Sequence, residues 1–98
     1  MKFTDPMTEI VHEVPMVHLN GSGYDNLVNL YGGAIAAVLA AESELLMATP
    51  HPRDYYIDGD FASAIKDHRE MEKHLGDVKL KLAAIITGIR AQHREKFR

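Results

Sequence analysis

No cysteine occurs among the 98 residues of this chain, an absence that excludes disulfides, thiolate metal sites and cysteine nucleophiles together and suits a reducing cytoplasm. Basic charge is not in excess either. The formal net charge is −3 and the isoelectric point is near 6.0, so there is no broad basic field to capture a polyanion, and DNA is not an expected partner. No uninterrupted apolar run approaches the roughly 18 residues of a bilayer span. The apolar stretch from Ala34 to Ala41 is followed at once by Glu42 and Glu44, which reads as a buried helix face, and no membrane contact is expected. Asp5, Pro6 and Glu9 leave no room for a secretory apolar region at the start. A soluble, cytoplasmic protein is the expectation.

Catalytic signatures are missing as well. Ser22, Ser43 and Ser63 lie in no nucleophile elbow. His68, Glu72 and His74 have neither HExxH nor facial-triad spacing: His68 and Glu72 share a helix face as i and i+4, while His74 points elsewhere. No catalytic residue, metal or cofactor is expected, and His68 reads as a hydrogen-bonded seam residue.

What is present is a three-four apolar stripe through the second half: Phe61, Ala64, His68, Met71, Leu75, Val78, Leu82, Ile85 and Ile89. It predicts one long helix from Phe61 to about His93, about 50 Å at 1.5 Å per residue, capped by Asp58 or Asp60. A shorter helix of about 25 residues is predicted from near Gly23 to near Ala48, with Tyr24, Leu27, Tyr31, Ala34, Val38, Ala41 and Leu45 along its buried face. Thr49-Pro50-His51-Pro52 stops it, because each proline lacks the amide donor and restricts the residue before it. Gly32-Gly33 costs this helix about 1 kcal/mol per glycine and points to a close helix contact or a bend.

Residues 1–20 differ from the rest. Pro6 and Pro15 forbid a continuous helix, and Glu9–Val14 and Met16–Leu19 look extended. The organisation expected is therefore an extended N-terminal arm over residues 1–20 and a helical domain over residues 21–98, all-α, folded as an antiparallel two-helix hairpin. A hairpin of unequal arms would leave about ten residues at the end of the second helix without a sequence-adjacent partner. The arm or a second subunit must then cover Ile85, Ile86 and Ile89. The repeat Leu75, Val78, Leu82, Ile85, Ile89 reads as a coiled-coil-type interface, and a homodimer or larger helical bundle is expected.

Two polar motifs could carry ligand chemistry. His18-Leu19-Asn20-Gly21-Ser22 feeds a helix N-terminus, where free amides and the dipole favour a phosphate or carboxylate and His18 and Asn20 add side-chain contacts; ordinary capping by Ser22 explains the same residues. In the connection, Arg53 offers a guanidinium fork and Tyr55 and Tyr56 offer stacking faces, a set suited to a nucleotide; equally, Arg53 and Asp54 pair locally while the tyrosines pin the loop. These motifs lie at opposite ends of one hairpin, and two hairpins arranged end over end would bring them together. Arg90, Arg94, Lys96 and Arg98 cluster at the C-terminus, where they complement the negative end of the helix or meet an acidic partner.

The His18–Ser22 turn, Tyr31 in the first helix, the Pro50–Tyr56 connection and the long second helix together resemble small proteins encoded by bacteriophages and prophages. In that group the turn tends to continue Asn-Gly-Thr-Ser and the loop to read Pro-Asn-Gly-Arg-Asp-Tyr-Tyr. Here Ser22 and Gly23 stand at the first variation, and His51 and Pro52 replace Asn-Gly while Arg53 to Tyr56 are kept. The resemblance implies a phage-type accessory protein in the host cytoplasm. By analogy, it would be non-catalytic and would bind a phosphate-bearing, nucleotide-like small molecule through His18, Asn20, Ser22, Arg53, Tyr55 and Tyr56, sequestering an immune signal. The alternative expectation is a structural or interaction module docking a host or virion protein through its helical faces.

Overall fold

The structure, a computed structural model, describes residues 1–16, 22–56 and 59–97. Two helices dominate it, α1 over Ser22–Met47 and α2 over Phe61–Phe97, joined through a short 3-10 turn at Pro52–Asp54. They pack antiparallel as a hairpin with principal extents of 62 × 25 × 15 Å. Asp60 starts α2 as expected. Its carboxylate accepts from the Ser63 amide at 3.1 Å and the Ser63 hydroxyl at 2.8 Å, while its carbonyl takes the Ala64 amide. Those bonds hold the Asp60 carboxyl below the ordinary carboxylate range. Asp58 lies outside the described residues.

The hairpin register departs from expectation. The length difference is taken up at the connection and not at the far end: Thr49 sits beside His68, Glu42 pairs with Lys79 at 3.0 Å, and Tyr24 stacks on His93 with ring centroids 3.9 Å apart. The start of α1 therefore lies beside the last turns of α2. The first turn of α2 is met by the folded connection, through Tyr55 and Phe61 at 6.1 Å.

The arm is not merely extended, so the fold is helical with a small sheet added. Strands β1 (Lys2–Thr4) and β2 (Val11–Glu13) pair antiparallel with Phe3 opposite His12. Asp5 organises the turn between them: its side chain takes the Met7 amide at 2.9 Å, its carbonyl takes the Glu9 amide at 2.7 Å, and Glu9 is left-handed at φ 58°. Alternation then turns Phe3, His12 and Val14 inward and Lys2, Val11 and Glu13 outward.

The inward face lies on α2. Val14 and Ile89 form the centre of the core, with Phe3, Tyr24, Leu27, Val28, Tyr31 and Ile85 packed around them. The Gln92 side chain donates to the Pro15 carbonyl at 2.8 Å and ties down the end of the arm. Gly88 makes the seat possible: a Cβ there would lie 2.9 Å from both Phe3 Cγ and Val14 Cγ2. Ile85, Ile86 and Ile89 are thus covered from one chain, by the arm on one side and α1 on the other. Of the stripe read as an interface, Ile89 is fully buried, Leu75, Leu82 and Ile85 are half-buried, and Val78 stands 47% exposed.

Candidate functional site

The connection carries the motif of Arg53, Tyr55 and Tyr56. Pro52 presets the backbone of the 3-10 turn, the His51 imidazole accepts the Arg53 amide through Nδ1 at 3.2 Å, and the Tyr55 amide closes onto the Pro52 carbonyl at 3.1 Å. Tyr55 is half-buried and serves structure. Its ring tilts against Phe61, and a Cβ on Gly59 would stand 2.6 Å from Tyr55 Cδ1, so only glycine fits there. Arg53 is exposed and Tyr56 is 78% exposed. One tyrosine of the pair pins the loop and the other is open to solvent with Arg53.

Behind the loop lies a shallow cavity of about 450 Å³ bounded by Leu45, Pro50, Tyr55 and His68. His68 is 4% exposed. Because the Thr49 hydroxyl already donates to the Leu46 carbonyl at 2.6 Å, it accepts from His68 Nε2 at 3.3 Å, and the Glu72 carboxylate accepts from the same nitrogen at 3.2 Å. The Nε2–H tautomer serves both contacts. The expected role of a hydrogen-bonded seam residue is the one observed. Among the described residues no group of three or more His, Asp or Glu side chains could hold a metal ion.

The second motif lies outside what is described: this holds for His18 and Asn20 and for the side chain of Ser22. Ser22 is nonetheless the first residue of α1, with Asp25 in its first turn. Since α1 has 26 residues, about 39 Å separates its start from the loop that follows its end. The start of α1 and the Pro52–Tyr56 loop lie at opposite ends of the hairpin.

A third surface escaped the sequence reading. Gly32 and Gly33 do not receive α2: both are exposed, and a Cβ on either would meet nothing within 4 Å. They stand with Ala36, Ala37 and Ala40 on the outer side of α1, flanked by Leu30, Leu39, Leu46 and Met47 at 61, 49, 66 and 74% exposure. Glu42 turns away to Lys79, so the outer face carries no charge between Asp25 and Glu44. Counting uninterrupted apolar residues hid this. Gly23–Met47 is long and apolar enough by length and composition to cross a membrane, although asparagine, tyrosine and glycine interrupt the run. A further groove of about 590 Å³ separates the arm from α2, with Ile10, Val11 and Leu80 along it and Asp77 and Lys81 among its lining.

No protein-family model, no curated protein and no solved structure matches the chain.

Proposed function

We propose that this chain acts by binding and not by turnover, as an interaction module whose working surface is the outer face of α1. The observation that carries the reading is a helix with no charged residue from Leu30 to Ala41 that, among the described residues, is packed on one side only. A helix of that kind is normally enclosed, and an exposed apolar patch of its length marks a contact surface. The test combines mass in solution with binding of an apolar fluorescent dye, for the native chain and for an Ala36→Lys, Ala40→Lys variant. A working face requires the native chain either to associate or to bind dye, and the variant to do neither. A native chain that is monomeric and dye-silent overturns the reading.

A second reading is supported by the openness of Arg53 and Tyr56 on a loop whose backbone is already fixed by His51, Pro52 and Tyr55. A preformed loop presenting a guanidinium and a ring loses little entropy on receiving a phosphate-bearing, nucleotide-like molecule. Sequestration of a nucleotide immune signal, the role implied by the resemblance to phage accessory proteins, would use this loop with His18, Asn20 and Ser22. A panel of nucleotide signals should raise the melting temperature of the native chain and not of Arg53→Ala, Tyr56→Ala. No shift with any of them removes this reading.

A further inference from the structure

We infer that the occupant of the outer face of α1 is a second copy of this chain, paired antiparallel across a two-fold axis that passes between Ala36 and Ala37. This rests on the first reading above and names its partner.

Surface area points to a large missing contact. A folded monomer of 11.0 kDa exposes about 5,600 Å², whereas this chain exposes 7128 Å². The excess, about 1,500 Å², falls in the range that each partner of an obligate homodimer buries, about 1,000–2,500 Å². The radius of gyration is 18.6 Å against about 13 Å for a compact chain of this length. Among the described residues only Val14, Ala84, Ile86 and Ile89 are buried hydrophobics.

Glycine placement supplies an independent argument. Two interior glycines cost α1 about 1 kcal/mol each relative to alanine, and none of the described residues uses the space they open. Gly88 shows the contrast, for there the missing side chain is filled by Phe3 and Val14. Room on an outer face benefits only a neighbour arriving from outside. That neighbour is not lipid across a bilayer, because α2 runs alongside α1 and exposes Arg69, Glu70, Lys73, Asp77 and Lys81.

The helix dipoles favour the antiparallel direction, since each α1 start then lies beside the other copy's α1 end. A parallel pair would set Asp25 directly against Asp25 and Glu44 against Glu44, whereas the antiparallel register offsets Asp25 from Glu44 by about one helical turn. The antiparallel pair sets Gly33 against Ala40, Leu30 against Ser43 and Glu44 against Asn29, near the positive end of the other dipole. Small residues meet at the axis, where the backbones approach most closely. Each copy then carries its Pro52–Tyr56 loop to the first turn of the other's α1, so the two ends of the hairpin meet only in the dimer.

With no native cysteine, introduced thiols read the geometry directly. The native chain should have the mass of two copies, twice 11.0 kDa, and Ala36→Lys, Ala40→Lys should return it to one with its helical circular dichroism unchanged. Ala37→Cys should be joined to itself by a short thiol crosslinker. Asn26→Cys and Met47→Cys should fail to join singly and should join when both are present. Self-joining of each end variant alone indicates a parallel pair and overturns the inference, as does co-sedimentation of the native chain with phosphatidylcholine vesicles as a monomer. A monomer that binds the apolar dye overturns the second copy while leaving the working face intact. A monomer silent to dye removes both.

Discussion

Replacing Gly88 by alanine puts a methyl carbon where the arm already sits, 2.9 Å from Phe3 Cγ and from Val14 Cγ2 and 3.1 Å from Phe3 Cδ1. Neither neighbour yields easily. Phe3 Cγ is the root of a ring, and Val14 is β-branched, 1% exposed and packed on Ile89. Overpacking of this kind costs about 1–3 kcal/mol, while alanine in place of glycine in a helix interior returns about 1 kcal/mol. Gly76 isolates the first effect, since it lies in the interior of the same helix and a Cβ there meets nothing within 4 Å. Gly76→Ala should stabilise by about 1 kcal/mol. The difference between the two variants cancels the propensity gain and leaves the overpacking alone, about 1–3 kcal/mol against Gly88→Ala. Urea denaturation at matched protein concentration reads this difference. In thermal melts each kcal/mol corresponds to about 4–8 °C for a chain of this size. Equal stabilisation by both substitutions would mean that the arm does not rest on Gly88, and the account of how Ile89 is covered would be refuted.

His68→Ala removes the buried Nε2–H contacts to Thr49 and Glu72 and should lower stability by about 1–3 kcal/mol, measured by urea denaturation, with Thr49→Val smaller because the His68–Glu72 contact is kept. The Lys79–Glu42 pair has side chains 36% and 29% exposed; a double-mutant cycle should give less than about 1 kcal/mol, and the value should shrink in high salt. Glu13 is held below the ordinary carboxylate range by bonds from the N-terminal ammonium and then Lys2, with their charges acting in the same sense. A depressed carboxylate contributes stability that is present above its unfolded pKa and is lost as pH falls through its folded value. Acid melts should therefore show a flatter pH slope for Glu13→Gln than for the native chain, and Asp60→Asn should flatten it in the same direction because Ser63 lowers Asp60 in the same way. An unchanged slope in both variants would show that neither carboxylate is linked to folding.

Helix identity was legible because local rules decide it. The apolar stripe, the Asp60 cap and the Pro50–Pro52 stop act within a few residues, and α1 and α2 begin and end close to where those signals lie. Register was not legible. It depends on how the connection folds back, and that is settled by contacts such as Tyr55 on Phe61 and the fit of Gly59, which join residues with no periodic relation. The consequence is local: the end of α2, expected to lack a sequence-adjacent partner and to be covered by the arm or a second subunit, is met both by the arm and by Tyr24 of α1, while the bare surface lies on α1. The arm was half legible. The extended reading of Glu9–Val14 covered β2, but β1 has only three residues and is specified by its pairing with β2 and by the Asp5 turn. Of the candidate ligand residues, composition picked out Arg53, Tyr55 and Tyr56 alike, and only the packing separated the anchoring tyrosine from the open one.

The glycines hold the chain's two strategies side by side. At Gly88 a helix gives up a side chain so that its own N-terminal arm can approach, and the result is a buried cluster around Val14 and Ile89. At Gly32 and Gly33 the same sacrifice is made on a face that none of the described residues approaches. Each of these glycines costs the helix about 1 kcal/mol, in a chain with four buried hydrophobic residues among those described. Where the first expenditure is recovered inside the fold, the second is recovered only by contact between molecules. It follows that Gly33→Ala should stabilise the isolated subunit while loosening the assembly: a higher urea midpoint in a monomeric Ala40→Lys background, and weaker self-association in the native one. If alanine at position 33 raised both stability and association, the open face would be an accident of composition and not a surface shaped for a partner.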